Sequence, residues 1–75
     1  MKKTAKKRYA MCLENQGYTV SLEKRKVYEI RPPALKDPEF MVRVVDESGE
    51  DYLFPAKWFA PLELPASARR ALAAV

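Results

Sequence analysis

Four acidic side chains within six positions form the densest group of residues that could do chemistry: Asp46, Glu47, Glu50 and Asp51. Carboxylates so close together could bind a hard cation, and a pair of them could act as the acid and base of a glycosidase. Their order lacks the alternating Asp-x-Asn/Asp spacing of a calcium loop, and a glycosidase pair needs a cleft that 75 residues scarcely provide. We therefore predict no metal site, but a solvated turn that pairs with the basic residues 24–26.

Cysteine and serine are the possible nucleophiles, but the sequence supplies no base for them. It contains one cysteine, Cys12, and no histidine, so neither a Cys/His nor a Ser/His/Asp arrangement can form. A Cys/His zinc site and an internal disulfide fail for the same reasons. We predict that Cys12 is a small buried core residue, that the protein is not an enzyme and has no cofactor, and that it lies in a reducing cytoplasm.

The eight aromatic residues are more informative: Tyr9, Tyr18, Tyr28, Phe40, Tyr52, Phe54, Trp58 and Phe59. Tyr52 and Phe54 share one face of a predicted strand, whereas Trp58 and Phe59 lie on adjacent faces of a single turn and cannot both be fully buried. We predict that Phe54 and Phe59 are core residues and that Tyr52 or Trp58 is partly exposed. An exposed Trp–Tyr pair beside Pro55 could hold a peptide or stack single-stranded bases, or the rings could simply complete a small core.

Positive charge is concentrated at the start of the chain. The formal net charge is +4, yet residues 1–8 contain five bases and no acid, at Lys2, Lys3, Lys6, Lys7 and Arg8. Residues 9–75 therefore hold nine bases and ten acids, which leaves them at −1. We predict a flexible basic tail over residues 1–8. The alternative is a tail that contacts RNA, DNA or another polyanion.

Short β-favouring segments separated by turn residues predict an all-β fold. There are six of them: Tyr9–Glu14, Tyr18–Leu22, Val27–Ile30, Phe40–Val45, Tyr52–Phe54 and Phe59–Leu64. Val42 and Val44 face one side of the fourth segment. Gly49 supplies the positive φ of a tight hairpin turn after it, and residues 32–39 form a proline-containing loop.

The elements that follow Tyr52–Phe54 are predicted from a proline and from segment length. Pro55 breaks the strand, and Ala56–Trp58 is long enough only for one 3₁₀ turn. The alanine-rich residues 66–75 predict a short helix that either docks through Leu72 and Val75 or frays. The longest apolar runs are far shorter than the roughly 20 residues of a transmembrane helix, so we predict no membrane contact.

Strands of this number and length close into a barrel to remove their edges. The segment Leu53-Phe54-Pro55-Ala56-Lys57-Trp58-Phe59 resembles the end of Src-homology-3 (SH3-like) barrels, with an apolar pair, a proline, two small or polar residues, an aromatic and an apolar residue. The resemblance implies a small five-stranded SH3-like barrel over residues 9–65, in which Pro55 and Trp58 would line a groove for proline-rich peptides. The acidic, aromatic opening motif of peptide-binding members is absent near Tyr9–Glu14.

A second resemblance covers roughly residues 10 to 65. Short bacterial proteins of uncharacterised function contain motifs similar to four segments of this chain, at Cys12–Tyr18, Ser21–Tyr28, Arg43–Pro55 and Leu64–Pro65. The most specific is the run Asp-Glu-Ser-Gly-Glu-Asp-Tyr-Leu-Phe-Pro. This likeness implies an SH3-like barrel in a bacterial cytoplasm and supplies no activity.

Three functions remain open from the sequence. The first is a non-enzymatic interaction module whose groove around Tyr28, Tyr52, Pro55 and Trp58 holds a peptide or protein segment. The second is a nucleic-acid accessory protein in which the tail contacts phosphates together with a second basic segment, Lys24, Arg25 and Lys26. The third is a structural role, as a homo-oligomer or as a subunit of a larger assembly. We favour the first.

Overall fold

Five strands, one 3₁₀ turn and one helix make up the described part of the protein. The computed structural model describes residues 7–73. The strands are β1 (Arg8–Cys12), β2 (Val27–Arg31), β3 (Met41–Val45), β4 (Asp51–Pro55) and β5 (Phe59–Leu62). The predicted 3₁₀ turn is confirmed at Ala56–Trp58, and the predicted short helix is confirmed as α1 (Ala66–Ala73).

The strands form one antiparallel sheet in the order β4-β3-β2-β1-β5. The all-β prediction is therefore confirmed. Strand β1 pairs with both β2 and β5, so that Ala10 lies opposite Tyr28 on one side and Pro61 on the other. Within residues 7–73 the sheet is open, because β4 and β5 are its two edges and no ladder joins them. Each edge strand contains a proline, Pro55 in β4 and Pro61 in β5, which suits an edge because proline lacks the N–H that a ladder needs.

The strand predicted at Tyr18–Leu22 is wrong, because this segment is a series of turns. The Tyr18 N–H donates to the Asn15 carbonyl at 2.8 Å, and the Leu22 N–H donates to the Tyr18 carbonyl at 2.9 Å. The Asn15 side-chain amide closes the loop by donating to the Leu22 carbonyl at 3.0 Å. Local hydrogen bonds thus replace a ladder, and they leave the β-branched Val20 90% exposed.

One face of the sheet, the inner face, forms the hydrophobic core. Side chains alternate between the two faces along each strand, which places the following residues together: Ala10, Cys12, Tyr28, Val44, Phe54 and Phe59. Leu22 enters this core from the loop between β1 and β2, and no part of it is exposed. The predicted core positions of Cys12, Phe54 and Phe59 are confirmed, as is the shared face of Val42 and Val44.

The opposite, outer face of the sheet is covered at β1 by helix α1. The Arg69 guanidinium lies 5.7 Å from the centroid of the Tyr9 ring and donates a hydrogen bond to the Lys7 carbonyl. Tyr9 is buried as a result, although it lies on the face away from the core. Leu72 and Tyr9 line the same cavity, so Leu72 lies where the helix docks, as predicted. Val75, the other predicted docking residue, lies outside the described residues.

We expect Arg69→Ala to lower the free energy of unfolding by about 1 kcal/mol, because it removes both a cation–π contact and a hydrogen bond to the backbone. The neighbouring exposed Arg70 is the matched control, and Arg70→Ala should change stability by less than about 0.5 kcal/mol. Urea denaturation of the two variants and the wild type measures the difference. Equal stabilities of the two variants would show that Arg69 does not hold the helix.

Candidate functional site

The structure separates the four residues that were predicted to form one partner-binding surface. Tyr52 is 49% exposed, while Pro55 and Trp58 are partly buried. Tyr28 is 5% exposed and belongs to the core, so its ring does not contribute to a surface. The burial of Tyr28 depends on the pairing of β2 with β1, which places it on the inner face opposite Ala10 and which the sequence pattern does not show.

Tyr18 is a surface aromatic residue that the sequence analysis missed. Its ring meets the edge of Phe54 at 5.3 Å between centroids and that of Trp58 at 5.8 Å. Phe54 and Trp58 stack on each other at 6.3 Å. Tyr18 nevertheless remains 49% exposed, so one side of the ring packs against the core aromatics while the other is free for contact.

Tyr18 and Phe54, together with Tyr52, border a cavity of about 380 Å³, here named the aromatic groove. Its lining residues are Tyr18, Ser21, Asp46, Ser48, Tyr52, Leu53 and Phe54. Tyr18 comes from the loop between β1 and β2 and Tyr52 from β4, whereas Phe54 is a buried core residue. The groove therefore combines two half-exposed phenol rings with hydroxyl and carboxylate groups.

The Tyr28 hydroxyl fixes the two segments that carry the groove. It accepts a hydrogen bond from the Glu23 N–H at 2.7 Å and donates one to the Glu47 carboxylate at 2.5 Å. The Glu47 N–H in turn donates to the Ser21 carbonyl at 2.9 Å. The loop between β1 and β2 is thus joined to the turn between β3 and β4, and both are attached to β2.

Charge strengthens this network. Lys26 Nζ lies 2.7 Å from Glu47 Oε2, which confirms that the acidic turn pairs with the basic segment 24–26. The Lys26 ammonium and then the Tyr28 hydroxyl hold the pKa of Glu47 below its ordinary value. Burial, and then the hydrogen bond to Glu47, raise the pKa of Tyr28, so its phenol stays protonated and can donate.

The other acids of the turn have separate roles. Asp46 is 6% exposed, rather than solvated as predicted, and its Oδ1 accepts from the Ser48 N–H at 2.8 Å and the Ser48 hydroxyl at 2.6 Å. The Glu50 carboxylate accepts from the Tyr52 hydroxyl at 3.2 Å, while Asp51 lies 3.8 Å from an arginine of β3. In the part of the chain that the structure describes, no group of three metal-ligating side chains converges.

Gly49 makes the turn possible. Its φ of +87° is a conformation that side chains with a Cβ rarely adopt, and its N–H donates to the Asp46 carbonyl at 3.0 Å. The predicted hairpin is confirmed, because β3 and β4 pair directly on either side of this turn.

Cys12 has the environment of a core residue. Its thiol is fully buried and donates to the Glu14 carbonyl at 3.2 Å. Burial raises the pKa of the Cys12 thiol, which keeps it in the less reactive protonated form. The confirmed core position thus accounts for this cysteine without a role in binding.

The basic residues predicted as nucleic-acid contacts lie in different places. Lys24 and Arg25 are exposed, and Arg25 has a φ of +68° in the loop between β1 and β2. Lys7 lies 3.9 Å from Glu29, and Arg8 begins β1. Lys2, Lys3 and Lys6, which complete the predicted tail, lie outside the described residues.

Comparison with protein-family models, with curated proteins and with solved structures gives no match for this chain. Among residues 7–73, no helix has the length and apolar character needed to cross a membrane.

We expect the contact between Glu47 and Lys26 to make stability depend on acid pH. Because the folded pKa of Glu47 is lowered, its contribution is fully present above about pH 4.5 and is lost as the pH falls below that value. Urea denaturation at a series of pH values measures this, with Glu47→Gln as the variant that keeps an oxygen acceptor but cannot titrate. The wild type should lose more stability between about pH 5 and pH 3 than the variant. Parallel pH profiles would contradict the assignment.

Proposed function

We propose that this protein is a non-enzymatic interaction module of SH3-like architecture that binds a peptide or protein segment in the aromatic groove. The architectural part is supported by the return of β5 to pair with β1 and by the 3₁₀ turn between β4 and β5. Closing the sheet would need only contact between its two edges, which this turn already connects. A bacterial cytoplasm belongs to the same proposal: the buried free thiol of Cys12 supports a reducing compartment, and the bacterial source rests on the resemblance alone.

The exposure of Tyr18 and Tyr52 above the buried Phe54 is the observation that carries the proposal. Each tyrosine is 49% exposed although both border the same cavity. Tyrosine is enriched among residues that dominate binding energy, because it buries a large rigid surface at a small entropic cost. Trp58 does not line the groove itself, but its ring packs against Tyr18 and so stabilises the position of that ring.

The charge of the groove favours a protein segment over a nucleic acid. Asp46 lines the groove, and Glu50 accepts a hydrogen bond from the Tyr52 hydroxyl at its border. Carboxylates in these positions repel phosphates and attract lysine or arginine side chains. We therefore propose a partner segment that contains an apolar or aromatic residue near a basic one. Stacking of single-stranded bases between these tyrosines is disfavoured for the same reason.

Selection of binders from a random peptide library displayed on phage tests this proposal. We expect the enriched peptides to bind the wild type and to lose about tenfold or more in affinity with Tyr52→Thr, because that change removes one wall of the groove but keeps a β-favouring residue on an edge strand. Leu35→Ser is the matched control, since Leu35 is 99% exposed and does not line the groove. Fluorescence anisotropy of labelled peptides measures the affinities.

Two results would count against the groove as the binding surface. The first is an unchanged affinity with both Tyr52→Thr and Tyr18→Leu. The second is recovery of partners from a native lysate that disappears on nuclease treatment, with a steep salt dependence, which would support nucleic-acid binding instead.

A further inference from the structure

A second cavity, of about 250 Å³, has inner-face residues of the sheet in its wall and shares no lining residue with the aromatic groove. It lies between β1, β2, β3 and β5, and it is here named the arginine pocket. Its apolar wall consists of Ala10, Ile30, Val42, Phe59 and Pro61. Ile30 and Val42 pack against the core and are still only partly buried, so they present apolar surface to the pocket.

The size of the arginine pocket suits a single side chain. Pockets for whole small-molecule ligands usually span about 300 to 1,000 Å³, and this cavity falls below that range. An aliphatic or aromatic side chain inserted here would cover Ile30 and Val42 and would rest on Phe59. The chemistry of the wall therefore selects an apolar group.

Three arginines line the pocket, but Arg31 and Arg43 alternate to the face opposite Ile30 and Val42 and already have acidic partners. Arg43 forms a two-point contact with Asp37, at 2.9 and 2.7 Å, and Arg31 Nε lies 3.3 Å from Glu29. Arg8 is exposed, lies on the same face as the apolar wall, and has no carboxylate within ion-pair distance among residues 7–73. An apolar wall with one unneutralised guanidinium favours a ligand that is both apolar and anionic.

We propose that the arginine pocket binds the C-terminal end of a peptide, with its last apolar side chain against Ile30 and Val42 and its carboxylate on Arg8. At a chain end the side chain and the carboxylate leave the same Cα, so the two groups lie only a few ångströms apart. The pocket offers the matching pair of features, because Arg8 pairs directly with Ile30 across β1 and β2. A guanidinium binds a carboxylate through two parallel hydrogen bonds.

Phe40 supplies a surface for the preceding residues of such a peptide. It is 73% exposed, and its carbonyl accepts the N–H of Ala56, which itself lines the pocket. An exposed aromatic ring of this kind next to a pocket is typical of an interaction surface. A peptide is therefore favoured over a free carboxylic acid, which would leave Phe40 uncovered.

Nuclear magnetic resonance titration with two short probes tests the proposal. The first is acetyl-Gly-Ser-Gly-Leu with a free carboxylate, and the second is the same peptide with an amidated C-terminus. We expect the first to shift the backbone amide signals of Ala10, Ile30 and Val42, and amidation to weaken binding about tenfold because the charge-assisted hydrogen bonds are lost. Arg8→Gln should weaken the free-carboxylate peptide to the same extent, and Arg8→Lys should restore part of the affinity.

Arg70→Gln is the control, because it removes one positive charge from an exposed position outside the pocket. It should leave the affinity unchanged. The proposal is overturned if neither probe shifts these amides, if both peptides bind equally, or if Arg8→Gln has no effect. It is also overturned if the shifts appear only at Tyr18 and Tyr52, in which case the aromatic groove and not the arginine pocket binds the peptide.

Discussion

The hydroxyl of Tyr28 is the contact that fixes the loop between β1 and β2 against the turn between β3 and β4. Its ring belongs to the core on β2, and its oxygen reaches the Glu23 amide of one connection and the Glu47 carboxylate of the other. The loop between β1 and β2 forms no ladder of its own, so hydrogen bonds of this kind hold it against the turn. Tyr18 belongs to that loop and Tyr52 follows that turn in β4, so this hydroxyl connects the two segments that carry the walls of the groove.

A single open sheet presents two chemically different surfaces. The aromatic groove is bordered by phenol rings and carboxylates, whereas the arginine pocket has an apolar wall and Arg8 among its lining residues. Both take their floor from the same core, through Phe54 in the groove and Phe59 in the pocket, whose rings lie 6.3 Å apart. Opposite charge at the two sites favours different partner chemistry at each, and the shared aromatic core gives both a rigid support.

The sequence predicted those parts of the fold that depend on local constraints. Pro55 and the short segment after it defined the 3₁₀ turn, and Gly49 defined the hairpin. It did not predict the loop around Tyr18, because the same β-favouring residues there make turn hydrogen bonds instead of a ladder. Nor did it place Tyr28 in the core, because the contact that holds its hydroxyl there is with Glu47, 19 residues away in the sequence. Contacts between segments distant in the sequence place the residues of the candidate site, and the periodicity of apolar residues along the chain does not predict such contacts.

The Tyr28 hydroxyl positions Tyr18 against Phe54 and Trp58 through the network that holds the loop between β1 and β2. The most direct test measures nuclear Overhauser effects between the ring protons of Tyr18 and those two rings, in the wild type and in Tyr28→Phe, which keeps the ring and loses only the hydroxyl. The account predicts clear cross-peaks in the wild type, and in the control Tyr52→Phe, that weaken or vanish in Tyr28→Phe. Cross-peaks of unchanged intensity in Tyr28→Phe would contradict it.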